Sequence, residues 1–210
     1  YKGGEELQYS HSRVECFETC AFKYKMRYLD GIKTIPDTEA TNALILGTAL
    51  HTGIEEGLEA GIQYYINAFP IISDAHINEM IKLEHWIPKV REMLPEGIYE
   101  QAITGSDFIG FADLLVPVES SGRTKVFDLY DFKYSSNQKS YMDSGQLHEY
   151  KYFIEKTHPG WKIRNMFFVF VPKVSIKQKK TESLMDFRER IQEQLNKELV
   201  QIVPIEYNPN

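Results

Sequence analysis

The pattern of hydrophobic and polar residues divides the chain into a helical first part and a strand-rich second part. Between residues 10 and 95, apolar side chains recur at the spacing of amphipathic helices. From residue 98 onward, runs of β-branched and aromatic residues are bounded by glycine and serine, as is typical of strands. We therefore expect a single domain over residues 1–210, with a mainly helical part at 10–95 and a sheet core at 98–210.

Three helices are expected in the first part. The spacing predicts them over residues 10–29, 44–69 and 75–94. Ser10 or Ser12 is the expected N-cap of the first helix. Four glycines lie in the second helix, and they indicate close packing or a break because each costs about 1 kcal/mol relative to alanine. Pro88 is expected to break the third helix, since proline removes a backbone hydrogen bond.

The second part combines consecutive strands with two helices. The pattern predicts strands over 98–105, 107–118, 124–135, 165–174 and 202–207, and helices over 143–157 and 181–201. A short Ser-Ser-Gly-Arg turn separates the second and third strands, so the first three strands predict an antiparallel meander. Asp143 or Ser144 is expected to cap the first of these two helices. This order of elements predicts an α/β (α+β) fold with a mixed sheet flanked by helices.

Charge and composition narrow the class of protein. The chain has 24 Lys and Arg against 30 Asp and Glu, and its net charge of −6 gives no overall attraction to nucleic acid. No apolar run approaches the ~18 residues of a membrane span, and no apolar signal region opens the sequence. Cys16 and Cys20 are poorly placed for a disulfide on one predicted helix. We therefore expect a soluble, intracellular protein with reduced thiols and no membrane partner.

The most informative chemistry lies between residues 113 and 133. Asp113 lies within an apolar strand, where a carboxylate needs a partner or a metal ion to offset its desolvation. Asp131 and Lys133 are two residues apart at the end of the next strand, so their side chains point to one face. If the two strands pair, Asp113 can lie beside Asp131. Such a group of carboxylates can bind Mg²⁺ or Mn²⁺, and with the lysine it suits phosphodiester hydrolysis.

Simpler interpretations of these residues stay open on the sequence alone. The acid–lysine group could be an ordinary ion pair on the surface of a hairpin. His51 shares a helix face with Glu55, but a single helical histidine is more often a packing residue than a ligand. Gln146 and Tyr150 also share a helix face, and that spacing alone says little.

The order of these residues resembles a known family. The motifs are SHSRVECFETCAFKYKMRYL (10–29), GTALH (47–51), GFAD (110–113), DFK (131–133) and QLHEY (146–150). Together they resemble the RecB-like branch of the PD-(D/E)XK nuclease superfamily, which includes nuclease domains of bacterial recombination helicase–nucleases, CRISPR-adaptation nucleases and phage exonucleases. The resemblance implies a restriction-endonuclease-like core and metal-dependent hydrolysis of DNA.

The resemblance also implies a metal site drawn from both parts of the chain. His51 matches the family's metal-ligand histidine. Asp113 matches the first motif aspartate and Asp131 the second acidic residue, and both count as catalytic. The main-chain carbonyl of Phe132 would complete the ligands of Mg²⁺ or Mn²⁺.

The remaining site residues follow from the same resemblance. Lys133 matches the catalytic lysine, which positions or activates the attacking water. Gln146 and Tyr150 match the QxxxY element that steadies the site or contacts DNA. Glu55 and Glu100 are additional candidates for the metal site.

The sequence departs from the family pattern at two points. Ala112 precedes Asp113 where the superfamily's name has proline, as is common in the RecB-like branch. Several relatives bind an iron–sulfur cluster with one cysteine near the N-terminus and three after the catalytic core. Cys20 stands near the first position, but no cysteine follows it, so no iron–sulfur cluster is expected.

Candidates for DNA contact lie in two basic clusters. Cations and aromatic residues around the first helix form one cluster: Lys23, Lys25, Arg27 and Tyr28, with Phe22 and Tyr24. The second cluster follows the last long strand and fits a solvated charged face equally well: Lys173, Lys177, Lys179 and Lys180. A bound divalent cation reverses the local field, so the net charge of −6 does not forbid a DNA substrate.

These observations favour a metal-dependent DNA nuclease, and an exonuclease in particular, acting in recombination, repair or phage replication. Its partners would be single- or double-stranded DNA with ends and a recombination or helicase protein, in the cytoplasm of a bacterium or as a phage product. One alternative is a catalytically silent DNA-binding or scaffolding subunit of a helicase–nuclease complex with the same fold. A second alternative is an unrelated α/β protein with a surface acid cluster.

Overall fold

A computed structural model describes residues 8–35, 37–105 and 107–208 of the chain. Its helices are α1 (His11–Thr19), α2 (Ala21–Tyr24), α3 (Ala43–Glu56), α4 (Leu58–Asn67), α5 (Asp74–Met93), α6 (Lys139–Met142), α7 (Gln146–Thr157) and α8 (Leu184–Leu195). A π-helical segment, Lys25–Leu29, continues α2. Among these helices, none is both long and apolar enough to cross a membrane.

The strands form one five-stranded mixed sheet, as the order of elements predicts. They are β1 (Ile98–Thr104), β2 (Ile109–Ser121), β3 (Thr124–Tyr134), β4 (Trp161–Val171) and β5 (Gln201–Ile205), and they lie side by side in chain order. The first three strands form the predicted antiparallel meander. The parallel pairing of β3 with β4 needs a crossover, which α6 and α7 provide, and β5 then pairs antiparallel to β4.

Apolar side chains cover both faces of this sheet. On one face, α3, α4, α5 and α8 pack against buried residues of β2, β3 and β4, including Leu114, Phe132 and Val169. On the other face, α7 packs against Leu129 and Phe168. Helices therefore flank the sheet on both sides, and the predicted α/β fold with a mixed sheet flanked by helices is confirmed.

The predicted helix over 44–69 is two helices, and its glycines explain why. Gly57 has a φ of 115° and separates α3 from α4, because a side chain at that backbone conformation would be strained. Gly61 lies where α4 crosses α3, and a Cβ there would be 2.6 Å from the Ala49 carbonyl oxygen. Close packing and a break are therefore both present.

Four further local predictions need correction. Pro88 lies inside α5 without ending it, because neighbouring buried residues such as Trp86 and Val90 pack this helix into the core. The cap of α7 is Gly145 with a φ of 70°, and neither Asp143 nor Ser144. The last helix is shorter than predicted at both ends, and β4 starts at residue 161 where the prediction started at 165.

The first helical segment is attached to the molecule without contributing to its core. Ser10 caps α1, as one of the two sequence alternatives had it, by accepting a hydrogen bond from the Arg13 amide. No residue of α1, α2 or the π-helical segment is buried. The backbone of Tyr9 pairs with the start of β2, where the amide of Ile109 donates to the Tyr9 carbonyl at 2.8 Å. This pairing sets the start of α1 beside the strand that carries Asp113.

Candidate active site

The meander brings the acidic residues of two strands together. β2 and β3 are antiparallel, with Leu114 opposite Tyr130. One step further along this register, Asp113 is opposite Asp131. Both aspartates are buried, at 8% and 2% residual exposure, so their charges need compensation.

Helix α3 directs His51 at these carboxylates. Its start is fixed by Asn42, whose side chain accepts hydrogen bonds from two amides of the first turn. At its end, the Arg91 guanidinium donates to the carbonyls of Gly53, Ile54 and Glu55 and so satisfies carbonyls that the helix leaves free. Buried residues of α3 face the core, and His51 points to the neighbouring strands β2 and β3.

His51, Asp113 and the backbone of Phe132 form a close network. The His51 Nδ1 atom lies 3.5 Å from Asp113 Oδ1, and its Nε2 atom lies 3.0 Å from the Phe132 carbonyl oxygen. The Phe132 amide donates to Asp113 Oδ2 at 2.6 Å. Burial alone lowers the pKa of His51, but the Asp113 carboxylate outweighs it and raises this pKa to about 9. The imidazole is therefore a cation in this network.

Glu100 joins the network through an unusual backbone conformation. It is the only described non-glycine residue with a positive φ, at 47°, and it lies across the β1–β2 ladder from Asp113. Its carboxylate oxygen, one ligand atom of His51 and one of Asp113 lie within 4.8 Å of one another. Burial and the charge of Asp113 raise the pKa of Glu100. A strained non-glycine backbone of this kind is often kept at functional sites.

Lys133 is held next to the network by a chain of polar contacts. Its Nζ atom lies 2.6 Å from Asp131 Oδ2 and donates to Gln146 Oε1 at 2.8 Å. The Gln146 amide in turn donates to the Tyr150 hydroxyl at 3.0 Å. The ammonium group also lies 5.3 Å from the ring centre of Tyr141. Tyr150 therefore supports Gln146, and Gln146 in turn supports Lys133.

The charges of the site differ in how well they are compensated. Burial would raise the pKa of Asp113, but His51, Lys133 and the Phe132 amide hold it below its ordinary value. Burial and the neighbouring Asp113 raise the pKa of Asp131 to about 6, against the opposing effect of Lys133. Burial lowers the pKa of Lys133, yet Asp131 and Asp113 outweigh it and keep this pKa above its ordinary value. Lys133 is therefore an ammonium cation in this site.

The donor atoms of the site fit a hard divalent cation. Carboxylate oxygens of Asp113 and Glu100 and an imidazole nitrogen of His51 converge from three segments of the chain, and the Phe132 carbonyl lies 3.0 Å from His51 Nε2. Oxygen-rich sets of this kind suit Mg²⁺ or Mn²⁺. Either a proton on His51 or a divalent cation would place positive charge among the carboxylates and so compensate their negative charge.

Not every sequence candidate lies in this converged group. Asp131 is beside it, with one oxygen on Lys133. His51 and Asp113 line a cleft of the molecule, and Glu55 lines it one helical turn after His51. Glu100, a secondary candidate in the sequence, has its ligand atom within the group of His51 and Asp113.

The candidate DNA contacts lie outside the cleft. Lys23, Lys25 and Arg27 are exposed, and Tyr28 is half-buried. Lys25 is bonded to Asp30 at 2.6 Å, and Arg27 lies over the ring of Tyr28. The second cluster is mostly exposed as well, and none of its lysines lines the cleft: Lys173, Lys177, Lys179 and Lys180.

The cleft contains residues that the sequence did not single out. It has a volume of about 980 Å³, and the start of α1 forms one of its walls, with His11 among the lining residues. Tyr141 lines it from α6. Neither residue has a spacing pattern that would mark it, because α1 and α6 reach the cleft only through tertiary packing.

Two comparisons with known proteins bear on the family and the fold of this chain. The family model of the PD-(D/E)XK nuclease superfamily matches residues 8–210. A crystal structure from Eubacterium rectale, of a protein provisionally described as an exonuclease, is similar with a TM-score of 0.59 and 14% sequence identity. The match covers 97% of this chain and 86% of that chain. At this sequence identity it is evidence for a shared fold alone. No curated protein matches the sequence.

Proposed function

This chain belongs to the PD-(D/E)XK nuclease superfamily, and from that premise we propose that it hydrolyses phosphodiester bonds of DNA with the help of a divalent metal ion. We propose further that it acts as an exonuclease on DNA ends, in recombination, repair or phage replication. A recombination or helicase protein would be its partner, and the bacterial cytoplasm its location.

One observation carries this proposal. Ligand atoms of His51, Glu100 and Asp113 lie within 4.8 Å of one another, and the Lys133 ammonium is held beside them by Asp131 and Gln146. A group of converging metal ligands next to a fixed cation is suited to the hydrolysis of a phosphodiester. A merely structural ion pair would need neither the excess of carboxylates nor access to a cleft.

The residues of the site divide the work. His51, Asp113, Glu100 and the Phe132 carbonyl would hold Mg²⁺ or Mn²⁺, and Asp131 can add its second carboxylate oxygen. When bound, the ion would make a coordinated water more acidic and offset the charge that develops on the phosphate.

Lys133 acts as a fixed positive charge. Because its pKa is raised, it remains an ammonium group that can donate hydrogen bonds to the attacking water or to a phosphate oxygen. Asp131 and Gln146 fix its position, and Tyr150 fixes the amide of Gln146. Catalysis therefore depends on Gln146 and Tyr150 through the lysine.

Contacts with DNA outside the site are also proposed. The exposed cations around α2, Lys23, Lys25 and Arg27, would bind backbone phosphates, and Tyr28 would stack on a base. These contacts are supported by exposure and charge: residues 11–35 carry five Lys and Arg against three Asp and Glu in a chain of net charge −6. We also propose that both parts of the chain act as one domain, because α3, α4, α5 and the sheet share one core cluster.

Cleavage of end-labelled DNA tests the proposal. Linear and closed circular DNA, each single- and double-stranded, would be incubated with Mg²⁺, Mn²⁺ or EDTA. We expect metal-dependent cleavage by the wild type, and digestion of linear DNA alone if the protein is an exonuclease. Lys133→Met keeps the apolar stem of the lysine and removes its charge, so its cleavage should fall by about 10²- to 10³-fold.

Two controls make the outcome specific. Lys162→Met removes a lysine that is 62% exposed and pairs with Glu155, and it should cleave like the wild type. Thermal stabilisation by Mn²⁺ measures metal binding without cleavage. Metal binding without cleavage of any substrate would instead favour the catalytically silent subunit, and failure to bind metal would reject the proposed site.

A further inference from the structure

His11, the first residue of α1, is held at the cleft by an acidic residue of α7. Its Nδ1 atom lies 3.0 Å from Glu149 Oε2, and its side chain is only 16% exposed. The same cleft is lined by His51 and Asp113. No hydrogen bond to the other ring nitrogen, Nε2, is formed by any residue that the structure describes. The imidazole therefore has one nitrogen on a carboxylate and the other available to a ligand in the cleft.

Backbone pairing sets the start of α1 beside the first residues of β2. Tyr9 pairs with the start of β2 through the amide of Ile109, and Ser10 then caps α1. Four residue steps lead along β2 from Ile109 to Asp113, a rise of about 13 Å. Since His11 follows Tyr9 by two residues and lines the same cleft as Asp113, a phosphate bound at His11 would lie a few nucleotides from one that reacts beside Asp113.

We propose that His11 binds a backbone phosphate of the DNA strand, a few nucleotides from the bond that is cut. The inference rests on the proposed nuclease function. An imidazole that donates from Nδ1 to Glu149 and from Nε2 to a phosphate oxygen is a cation between two anions, which gives charge-assisted hydrogen bonds on both sides. Because the phosphate is not the reacting one, the contact is equally strong in the ground state and the transition state.

At this position, the loss of His11 should weaken DNA binding and leave the rate of the chemical step unchanged. Loss of the contact should raise KM and leave kcat unchanged, as expected when uniform binding is removed. It should also reduce the salt dependence of DNA binding, because each neutralised phosphate releases counterions. A histidine that only ties α1 to α7 would not change the salt dependence.

The experiment compares two variants with their parent in a Lys133→Met background, where cleavage is slow enough for DNA binding to be measured. A labelled single-stranded oligonucleotide and a labelled duplex are titrated in Mn²⁺ at several salt concentrations. The test variant is His11→Gln. The matched control is His148→Gln on the same helix as Glu149, because His148 contacts the Glu206 carbonyl at 3.1 Å outside the cleft.

We expect His11→Gln to weaken binding of at least one of the two DNA forms about ten-fold at low salt. The slope of log K against log salt should fall by about 0.7 for a single strand or 0.9 for a duplex. In the otherwise wild-type enzyme, KM should rise by a similar factor with kcat unchanged. Stabilisation by Mn²⁺ should not change, and His148→Gln should behave like its parent.

Several results would overturn the inference. An unchanged affinity in His11→Gln would reject the contact, and so would a weaker affinity with an unchanged salt slope, which indicates a structural tie. A fall in kcat at constant KM would also reject it. If the Lys133→Met protein binds no DNA at all, the proposed function fails together with this contact.

A second variant covers the case in which His11→Gln does not fold. Glu149→Gln keeps a hydrogen-bond acceptor for the imidazole and removes the charge that orients it. It should weaken DNA binding relative to the Lys133→Met parent while leaving Mn²⁺ stabilisation intact. An affinity equal to that of the parent would contradict the role of Glu149.

Discussion

Two buried lysine–carboxylate pairs in this protein have the same local geometry and different surroundings. Lys133 lies 2.6 Å from Asp131, and Lys82 lies 2.5 Å from Glu79. The side-chain exposures are 14% and 2% for the first pair and 6% for each member of the second. Neither the distance nor the burial distinguishes the two pairs.

The surroundings of the two pairs differ in charge balance and access. Around Lys133, the three carboxylates of Asp131, Asp113 and Glu100 face only two cations, Lys133 and His51, and Lys133 lines the cleft. The pair on α5 is neutral as a unit, and it is buried near Tyr65 and Tyr134, whose pKa values are raised by burial and by the charge of Glu79. The candidate metal site is therefore distinguished by more carboxylates than cations and by access to a cleft. A buried ion pair alone does not distinguish it.

Replacement of a carboxylate in the unbalanced cluster should have the largest effect. Asp113→Asn keeps an oxygen for the Phe132 amide, so the fold should persist. Cleavage should fall by at least about 10³-fold, because both metal affinity and the charge balance around Lys133 are lost. Cleavage assays and thermal shifts with Mn²⁺ would show this. Normal cleavage at ordinary Mg²⁺ would contradict the proposed metal site.

Removal of the catalytic cation should separate chemistry from metal binding. Lys133→Met should reduce cleavage by about 10²- to 10³-fold, since it removes a preorganised positive charge. Stabilisation by Mn²⁺ should stay or increase, because the lysine competes with a metal ion for the carboxylates. A Lys133→Met enzyme with the wild-type rate would show that the lysine has no catalytic role.

The matching substitution in the Lys82–Glu79 pair should lower stability and leave activity unchanged. Lys82→Met leaves Glu79 buried without a partner and should cost about 3–5 kcal/mol in the free energy of unfolding. Adding Glu79→Gln should recover most of that loss, because the uncompensated charge is gone. Urea unfolding measures both values. The activity per folded molecule should not change, and a selective loss of kcat would break the comparison.

Glu100 tests whether backbone strain is kept for a ligand. Glu100→Gly should be more stable than Glu100→Ala by about 1–2 kcal/mol, because a positive φ is unfavourable for residues with a Cβ. Both variants should bind Mn²⁺ more weakly than the wild type, since both lack the carboxylate. Equal stability of the two variants would show that the backbone at this position is not strained. Unchanged Mn²⁺ affinity would remove Glu100 from the metal site.

The end of the polar chain should give the smallest effect. Tyr150→Phe removes the hydroxyl that accepts from Gln146 but leaves the Gln146–Lys133 bond in place. We expect a drop in kcat of about three- to ten-fold, equivalent to a net hydrogen bond of about 1 kcal/mol. Steady-state kinetics would show it, and wild-type kinetics would mean that Tyr150 does not support the lysine.

The sequence predicted the larger elements well because they repeat a strong local signal. The meander, the two strands after it and the helix over 143–157 all have long, consistent apolar patterns. Predictions failed where packing overrides local preference. Pro88 does not break α5, because buried neighbours on both sides hold the helix together.

For the site, the sequence determined the residue types and the face on which each lies. The two-residue spacing of Asp131 and Lys133 sets them on one side of β3, and the i, i+4 spacing of Gln146 and Tyr150 sets them on one side of α7. These relations depend only on residues close together in the chain, so the sequence alone is enough to predict them.

Only the tertiary structure decided which of these residues meet. Glu100 reaches Asp113 because β1 pairs with β2 and its backbone turns to a positive φ, which no local pattern signals. His11 meets Glu149 across 138 residues of chain, through a pairing at Tyr9 and a crossover at α7. Contacts between residues far apart in sequence depend on the register of the sheet and on the packing of the helices against it. The spacing of residues along the chain specifies neither of them.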